Sequence, residues 1–229
     1  MCQMNAMSMR PASTGGPRRT FVPSTDFRVT SASWELGPAV PQTRRPWLRR
    51  LGRWLLQRAG WRFTGQMPNL PRFVVIVAPH TSNWDFPVGL AAKWALGFDA
   101  HWWGKDTLFR PPLGWFMRAN GGIPVDRHNK HNVVEQTIAA MRASERFALA
   151  LSPEGTRKRV TEWRSGFWHV AKGANVPICC VAFDWERHEI RLGPVLTADE
   201  DDTAAGIARV RAAFGEVRGY DRSQRIALD

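Results

Sequence analysis

Short apolar runs alternate with longer stretches of helical periodicity from residue 73 onward. A run of about four to eight apolar residues, rich in β-branched side chains, predicts a buried strand, and apolar residues three or four apart predict a helix. The predicted strands are 73–78, 100–104, 122–125, 146–151, 177–184 and 188–192. The predicted helices are 82–97, 112–119, 131–144, 164–174 and 201–215.

This alternation predicts an α/β fold in which helices cover both faces of a largely parallel sheet. The last two predicted strands, 177–184 and 188–192, are separated by too few residues for a helical crossover. Such a short connection fits an antiparallel hairpin, so we expect the sheet to be mixed. The length of 229 residues suits one domain with a full core, which we place at 46–229, and a preceding tail.

The segment 46–60 is predicted to contain an amphipathic helix that begins with a proline. Its apolar stripe consists of Trp47, Leu48, Leu51, Trp54 and Leu55. Its basic and polar side consists of Arg49, Arg50, Arg53 and Gln57. Trp and Leu opposite Arg are typical of a helix that lies in a lipid interface, and a surface helix packed on the core is the alternative.

Residues 1–45 are rich in Ser, Thr, Pro, Gly and Arg, and their only acids are Asp26 and Glu35. This composition predicts a disordered tail. An Arg- and Ser-rich, acid-poor start is also the composition of an organelle transit peptide. A start codon placed too far upstream is a third interpretation, because further methionines follow closely.

Net charge and composition indicate which classes of molecule the protein could bind. A net charge of +12 favours polyanions such as nucleic acid, anionic lipid or phosphorylated substrates, and the 12 Trp fit membrane interfaces or apolar clefts. The 3 Cys show neither metal-ligand nor disulfide spacing. No apolar stretch is long enough to cross a bilayer, and no hydrophobic signal peptide is visible.

The first candidate motif follows the predicted strand 73–78. His80 comes directly after this strand, and Asp85 lies five positions later. The two side chains can meet if His80 lies on the turn and Asp85 in the first helical turn, with Thr81 or Ser82 capping the helix. The carboxylate then accepts a hydrogen bond from one imidazole nitrogen and leaves the other nitrogen available as a base. Taken alone, the pair also fits a purely structural contact.

A second polar turn follows the predicted strand 146–151. Gly155 allows the backbone to bend there or to approach a ligand closely. Glu154 supplies an acceptor, Thr156 a hydroxyl, and Arg157 a planar guanidinium suited to phosphate. The alternative is an ordinary strand-end turn with solvated charges.

Two further cations follow strand ends: Arg127 comes after strand 122–125, and Lys105 after strand 100–104. The carboxyl ends of strands in an open α/β sheet converge on one crevice, so we expect these cations to lie near His80. A base, carboxylates and cations in one crevice predict a site for a phosphorylated acceptor that carries a hydroxyl.

Several other chemistries lack their motifs. The chain has no G-x-S-x-G elbow, so Ser82 and Ser152 are poor candidates for a hydrolase nucleophile. It has no Walker loop and no dinucleotide fingerprint, and its other histidines show no zinc spacing. We therefore expect neither a metal nor a cofactor.

The order and spacing of these motifs resemble the four sequence blocks of the glycerolipid acyltransferases, the enzymes related to 1-acylglycerol-3-phosphate acyltransferase. The first block is His80-x4-Asp85, an HX4D motif, and the others are 122–127, 154–157 and 176–178. The resemblance spans about residues 50–195. It rests on the first and third blocks, because the second and fourth are loose on their own.

The resemblance implies catalytic and phosphate-binding roles. His80 would be the general base and Asp85 the residue that orients it. Arg127 and Arg157 would bind the acceptor phosphate, and Lys105 matches a cation often found between the first two blocks. The resemblance names no group for the oxyanion of the intermediate, and the backbone amides at the start of the helix after Thr81 are one candidate.

The resemblance also implies substrate contacts. Glu154, Gly155 and Thr156 would belong to the acceptor site, and Val176 and Pro177 would border the acyl-donor side. Three apolar, Trp-rich segments are interpreted either as an acyl groove or as plain core: 91–98, 101–103 and 163–168.

The activity implied is transfer of a fatty acyl group from acyl-CoA or acyl carrier protein to the hydroxyl of 1-acylglycerol-3-phosphate, in phospholipid biosynthesis. The acyltransferase domain would be 46–229, peripheral (monotopic) on the cytoplasmic face of an anionic membrane. Pro79 and the lack of a long hydrophobic N-terminal segment depart from the family pattern, so another lyso-lipid acceptor, such as a lyso-ornithine lipid, is an alternative. A non-enzymatic basic protein is a further alternative, although strand-end turns do not resemble a nucleic-acid-binding stripe.

Overall fold

The computed structural model describes residues 34–125, 130–157, 160–199, 202–215 and 217–220. In these ranges the strands are β1 Arg62–Gly65, β2 Arg72–Ala78, β3 His101–Lys105, β4 Gly122–Val125, β5 Phe147–Leu151, β6 Ile178–Asp184 and β7 Glu189–Leu196. The α-helices in the same ranges are α1 Pro46–Arg58, α2 Asp85–Leu96, α3 Leu113–Ala119, α4 Lys130–Ala143, α5 Gly166–Ala174 and α6 Thr203–Ala212. A short 3-10 helix, Asp106–Phe109, joins β3 to α3.

All seven strands form one sheet, in the order β1-β7-β6-β2-β5-β3-β4. The neighbours β6, β2, β5, β3 and β4 are parallel, whereas β6 and β7 pair antiparallel. The predicted mixed, largely parallel sheet and its terminal hairpin are therefore confirmed. Sequence reasoning missed β1, a four-residue edge strand in which only Phe63 is buried.

Helices cover both faces of the sheet, as predicted. Successive side chains of a strand point to opposite faces, and β2 shows this alternation directly. Phe73 and Val75 belong to the core that α1 and α2 complete, whereas Val74 and Ile76 belong to the core on the side of α4, α5 and α6. The sheet is thus buried on both sides, which explains why its central strands read as continuous apolar runs.

Two of the three Trp-rich segments prove to be core. In segment 91–98, most side chains on α2 are buried beneath α1 and the sheet. In segment 163–168, Phe167 and Trp168 are fully buried. The third segment lies on β3, where residues 101–103 are half-buried. The acyl-groove interpretation is therefore not supported for α2 and α5.

Helix α1 carries two different apolar faces. Leu48, Gly52 and Leu56 are buried against the domain. The remaining apolar side chains stay exposed, namely Trp47 (63%), Leu51 (37%), Trp54 (57%) and Leu55 (37%). The predicted stripe was therefore wrong at Leu48, which packs against the domain. Leu56 was not part of the predicted stripe, yet it is buried in the same core as residues of α2.

Helix α1 is fixed to α2 by close backbone contact. A Cβ at Gly52 would lie 2.5 Å from the amide nitrogen of Ala95 and 2.6 Å from the carbonyl oxygen of Ala91, so only glycine fits there. Arg53 donates hydrogen bonds to the carbonyls of Ala95 and Trp34, both at 3.2 Å. One of the arginines predicted to face away from the apolar stripe therefore binds the domain. Among the helices that the structure describes, none is long and apolar enough to span a bilayer.

The predicted tail, 1–45, extends too far toward the domain. Residues 34–45 lie on the folded unit: Val40 is fully buried and Trp34 packs edge-on against Phe63 with ring centroids 5.0 Å apart. Gln42 forms a β-bridge with Phe98. Residues 1–33 lie outside the described part of the chain, so the prediction for them stays a prediction.

Candidate active site

The turn between β2 and α2 brings His80 and Asp85 together. Their atoms Nδ1 and Oδ2 are 3.1 Å apart. The His80 side chain is 23% exposed, whereas that of Asp85 is only 1% exposed. Because Oδ2 of Asp85 lies within hydrogen-bond distance of Nδ1, the imidazole has Nε2 left for a reacting group. The predicted dyad geometry is therefore present.

The Asp85 side chain accepts hydrogen bonds from the backbone of the turn that precedes it. Its Oδ2 accepts hydrogen bonds from the backbone amides of Thr81 and Ser82, both at 2.8 Å. Helix α2 begins at Asp85 with Trp84 as its N-cap, and no side chain caps it. The expected cap by Thr81 or Ser82 was wrong, because α2 starts later than predicted and the carboxylate reaches back into the turn.

Glu154 is tied to the same turn from the neighbouring strand. Both of its carboxylate oxygens lie 3.1 Å from the backbone nitrogen of His80, which donates to them. Burial raises the pKa of Glu154, and the nearby Asp85 raises it further, whereas the His80 amide, the His80 ring and Arg211 oppose the shift. Glu154 thus holds the backbone of the histidine and shares its surroundings with a second carboxylate.

Gly155 has a left-handed backbone, with φ of +62°, and a cation packs over it. The left-handed conformation favours glycine, and the end of the Arg164 side chain packs where a Cβ would stand. The amide of Arg164 donates to the carbonyl of Pro153 at 2.8 Å. Next in the chain, Thr156 is half-buried and Arg157 is exposed.

Lys105 lies at the end of β3, with its side chain exposed. β2 pairs with β5, and β5 pairs with β3, so Lys105 lies at the same edge of the sheet as His80. The two strands that precede these residues, β3 and β2, are about 10 Å apart. Arg127 lies outside the described residues, and its role stays a prediction. β4, which precedes it, ends at Val125, paired with Lys105.

Val176 and Pro177 lie away from the dyad. The backbone nitrogen of Val74 donates to the carbonyl of Pro177, and Val74 pairs with Ile178. Both contacts are at the amino ends of β2 and β6, whereas His80 follows the carboxyl end of β2. The fourth block therefore starts a buried strand, and the expected contact with the acyl-donor side is not supported.

Three residues of the site escaped sequence reasoning. Nε1 of Trp185 donates to Oδ1 of Asp85 at 2.7 Å. Arg164 packs on Gly155, and the charge of Arg211, on α6, acts on Glu154. No local signal could have identified Trp185, because it lies 100 positions from its partner.

The backbone amides of the turn are mostly engaged. Those of His80, Thr81 and Ser82 donate to carboxylates, and that of Trp84 donates to Oγ of Ser82 at 3.1 Å. Of the amides after Thr81 that were expected to bind the oxyanion, those of Ser82 and Trp84 are therefore in use. In the turn 80–85, the amide of Asn83 has no hydrogen bond to any described residue, and Asn83 is exposed.

The arrangement supports general-base chemistry. An oriented imidazole faces partly open space, with cations along the same sheet edge. Among the described residues, no group of three or more His, Cys, Asp or Glu side chains could hold a metal ion. Cys179 and Cys180 are buried in the core, where desolvation raises the thiol pKa of Cys179 to about 12.

Comparison with known proteins gives a consistent picture. The family model described as Acyltransferase matches residues 62–184. The 1-acyl-sn-glycerol-3-phosphate acyltransferase of Streptococcus pneumoniae is 29% identical over 121 residues, which are 52% of this chain and 45% of that protein. The chain thus matches a little under half the length of this curated relative.

A solved structure shares the fold. The crystal structure of the 1-acyl-sn-glycerophosphate (LPA) acyltransferase PlsC from Thermotoga maritima superposes with a TM-score of 0.53. The alignment covers 74% of this chain and 79% of that chain at 15% identity. The likeness therefore concerns the arrangement of strands and helices.

The raised pKa of Glu154 predicts a specific pH dependence of stability. Because the folded state holds the proton more tightly than the unfolded state, protonation of Glu154 stabilises the fold. This contribution is complete below the ordinary value of 4.5 and is lost as the pH rises through the higher folded value. Relative to Glu154→Gln, the wild type should therefore lose stability as the pH rises from about 4.5. Denaturant unfolding of both proteins across this range measures the difference, and a difference that is constant with pH would contradict the assignment.

Proposed function

Because this chain belongs to the acyltransferase family, we propose that it transfers a fatty acyl group from acyl-CoA or acyl carrier protein to the hydroxyl of 1-acylglycerol-3-phosphate. The observation that carries the proposal is the 3.1 Å contact between His80 and the buried Asp85 at the open end of the sheet. The Streptococcus pneumoniae relative is named for activity on this acceptor, which supports the choice.

In the proposed reaction, His80 acts through Nε2. It takes the proton from the acceptor hydroxyl as the hydroxyl oxygen attacks the thioester carbonyl carbon. Asp85 fixes the imidazole tautomer and stabilises the imidazolium that forms. The tetrahedral intermediate then breaks its C–S bond, and the departing thiolate takes the proton from the imidazolium. No acyl-enzyme is needed, and His80 ends the cycle in the neutral form in which it began.

The developing oxyanion needs a donor, and the amide of Asn83 is the candidate that the turn leaves available. The neighbouring amides already donate to Asp85 and Glu154, so they cannot turn toward a substrate without losing those bonds. A donor that is fixed before the reaction stabilises the developing charge without further reorganisation.

Cations along the same edge are proposed to hold the acceptor phosphate. Arg157 and Lys105 are exposed there, and Arg127, outside the described residues, is assigned by its place after a strand end and by the resemblance. Arg164, packed on Gly155, adds positive charge close to Glu154. Guanidinium groups bind phosphate through parallel hydrogen bonds, which places the hydroxyl near the base.

Removing the base tests the proposed chemistry. His80→Ala should lower turnover by about 10²–10⁴-fold, and Asp85→Asn should also abolish most transfer, with the fold retained. The assay follows free CoA released from acyl-CoA over a panel of lyso-lipids in vesicles. His169→Ala, which changes an exposed histidine on α5, is the matched control and should keep full activity. Near-normal turnover by a folded His80→Ala protein would remove the mechanism.

The phosphate-binding role of Arg157 predicts an effect on the acceptor rather than on the donor. Arg157→Gln should raise the KM for 1-acylglycerol-3-phosphate by about tenfold or more, because a charge-assisted hydrogen bond is lost. The KM for acyl-CoA should stay unchanged. Arg146→Gln, an exposed arginine just before the other end of β5, is the control.

A different result would favour the alternative acceptor. If the protein turns over a lyso-ornithine lipid faster, and Arg157→Gln leaves the KM for that lipid unchanged, the acceptor assignment is replaced and the chemistry at His80 remains.

The exposed face of α1 is proposed to hold the enzyme on an anionic membrane as a peripheral, monotopic protein on the cytoplasmic side. Its two exposed indoles and two exposed leucines form an apolar surface without a partner in the described chain. Tryptophan is favoured at lipid–water interfaces, and Arg50 and Arg58, which are also exposed, suit anionic headgroups.

Vesicle binding tests this membrane surface. Trp47→Ala with Trp54→Ala should weaken partition into vesicles that contain anionic phospholipid by about tenfold or more. The reason is the loss of two indoles that would be buried in the lipid interface. Sedimentation with sucrose-loaded vesicles measures the partition. Trp115→Ala, which removes the 78% exposed tryptophan of α3, should have a smaller effect. Equal losses in both proteins would show that α1 is not the specific contact.

A further inference from the structure

We propose that Trp185 is a positioning residue, which holds the carboxylate of Asp85 in the orientation that His80 requires. This inference rests on the proposed function, in which Asp85 orients the general base. Trp185 follows β6 directly, in the connection between β6 and β7, and its ring reaches the carboxylate of Asp85 at the start of α2.

The two oxygens of Asp85 have unequal support. Oδ2 lies within hydrogen-bond distance of the Thr81 and Ser82 amides and of Nδ1 of His80. Oδ1 accepts from Nε1 of Trp185 at 2.7 Å, its single hydrogen bond from the described residues. The carboxylate is almost completely buried, so water cannot readily replace this donor. The indole N–H therefore holds the one carboxylate oxygen that the turn leaves without a donor, and so resists rotation of the carboxylate about its link to the turn.

The indole is itself held on both sides. Trp61 and Tyr220 each pack edge-on against Trp185, with ring centroids 4.8 Å away in both contacts. The backbone nitrogen of Trp185 donates to the carbonyl of Arg218 at 3.0 Å. The ring is thus positioned by packing, and its N–H points at Asp85 before any substrate binds.

The segment 217–220 also touches the other side of the dyad. A Cβ at Gly219 would lie 2.5 Å from Oγ1 of Thr81, whose amide donates to Asp85. The same short segment therefore packs on both the side-chain donor and a backbone donor of the carboxylate. This arrangement gives Trp185 a defined role in catalysis without contact with the reacting atoms.

Loss of the N–H alone should impair turnover rather than substrate binding. A buried carboxylate oxygen without a donor favours rotation of the carboxylate, which weakens the hold on Nδ1 of His80. Trp185 meets Asp85 at Oδ1, whereas His80 lies at Oδ2, and β6 lies on the other side of β2 from the strands that precede Arg157 and Lys105. The KM values for donor and acceptor should therefore stay close to those of the wild type.

The sharpest test replaces only the N–H. Site-specific incorporation of benzothienylalanine at position 185 keeps the shape of the ring and substitutes sulfur for the nitrogen. We expect kcat to fall by about 5-fold to 100-fold with unchanged KM and an unchanged circular dichroism spectrum. Trp185→Phe should give a similar or larger loss, and Trp115→Phe, which changes a 78% exposed tryptophan of α3, should keep kcat within about twofold.

The hydrogen bond can also be observed without substrate. In protein labelled with ¹⁵N-tryptophan, Asp85→Ala should shift the Nε1–H resonance of Trp185 upfield, whereas Arg146→Gln should leave it in place. A resonance that does not respond to Asp85→Ala overturns the proposal.

The kinetic outcomes separate the inference from the function on which it rests. Wild-type kcat in the benzothienylalanine protein, together with an inactive His80→Ala variant, overturns the role of Trp185 and leaves the proposed function intact. Full activity in His80→Ala overturns the proposed function itself, and with it the role of Trp185.

Discussion

The buried carboxylate of Asp85 is the charge on which the geometry of the site depends. A carboxylate taken out of water is tolerated only where hydrogen-bond donors replace the solvent. Here the donors are two amides of the turn after β2 and the indole that follows β6, and the imidazole of His80 lies beside the same carboxylate. Satisfying this one charge therefore fixes the turn 80–85 against a residue that lies 100 positions further along the chain.

A second carboxylate completes the arrangement from β5. Glu154 accepts from the amide of His80, and Asp85 accepts from the next two amides. Three consecutive peptide groups are thus held by two acidic side chains, one from the adjacent strand and one from the helix. The backbone that carries the imidazole cannot shift without breaking several hydrogen bonds, so the base is preorganised.

The features that could be predicted from the sequence are those with a local pattern, namely the central strands and the pair at the first turn. The central strands carry long apolar runs because both faces of the sheet are buried, and the pair His80 and Asp85 is spaced to meet across one turn. β1 escaped prediction because an edge strand of four residues with one buried side chain has no such pattern. The tail boundary was placed too late because residues 34–45 are covered by distant residues rather than by one another.

The other incorrect predictions have the same cause: which face of a helix is buried depends on the element that packs against it. The inward face of α1 is chosen by α2, so the helix's own periodicity could not show that Leu56 lies inside and Trp54 outside. Trp185, Arg164 and Arg211 join the site only through tertiary packing. The close approach at Gly52 has a mechanical consequence: α1 cannot swing independently of α2, and α2 begins with Asp85. The outward indoles and the imidazole consequently keep one fixed angle, so any flat surface that α1 rests on would set the direction from which a reactant reaches the histidine.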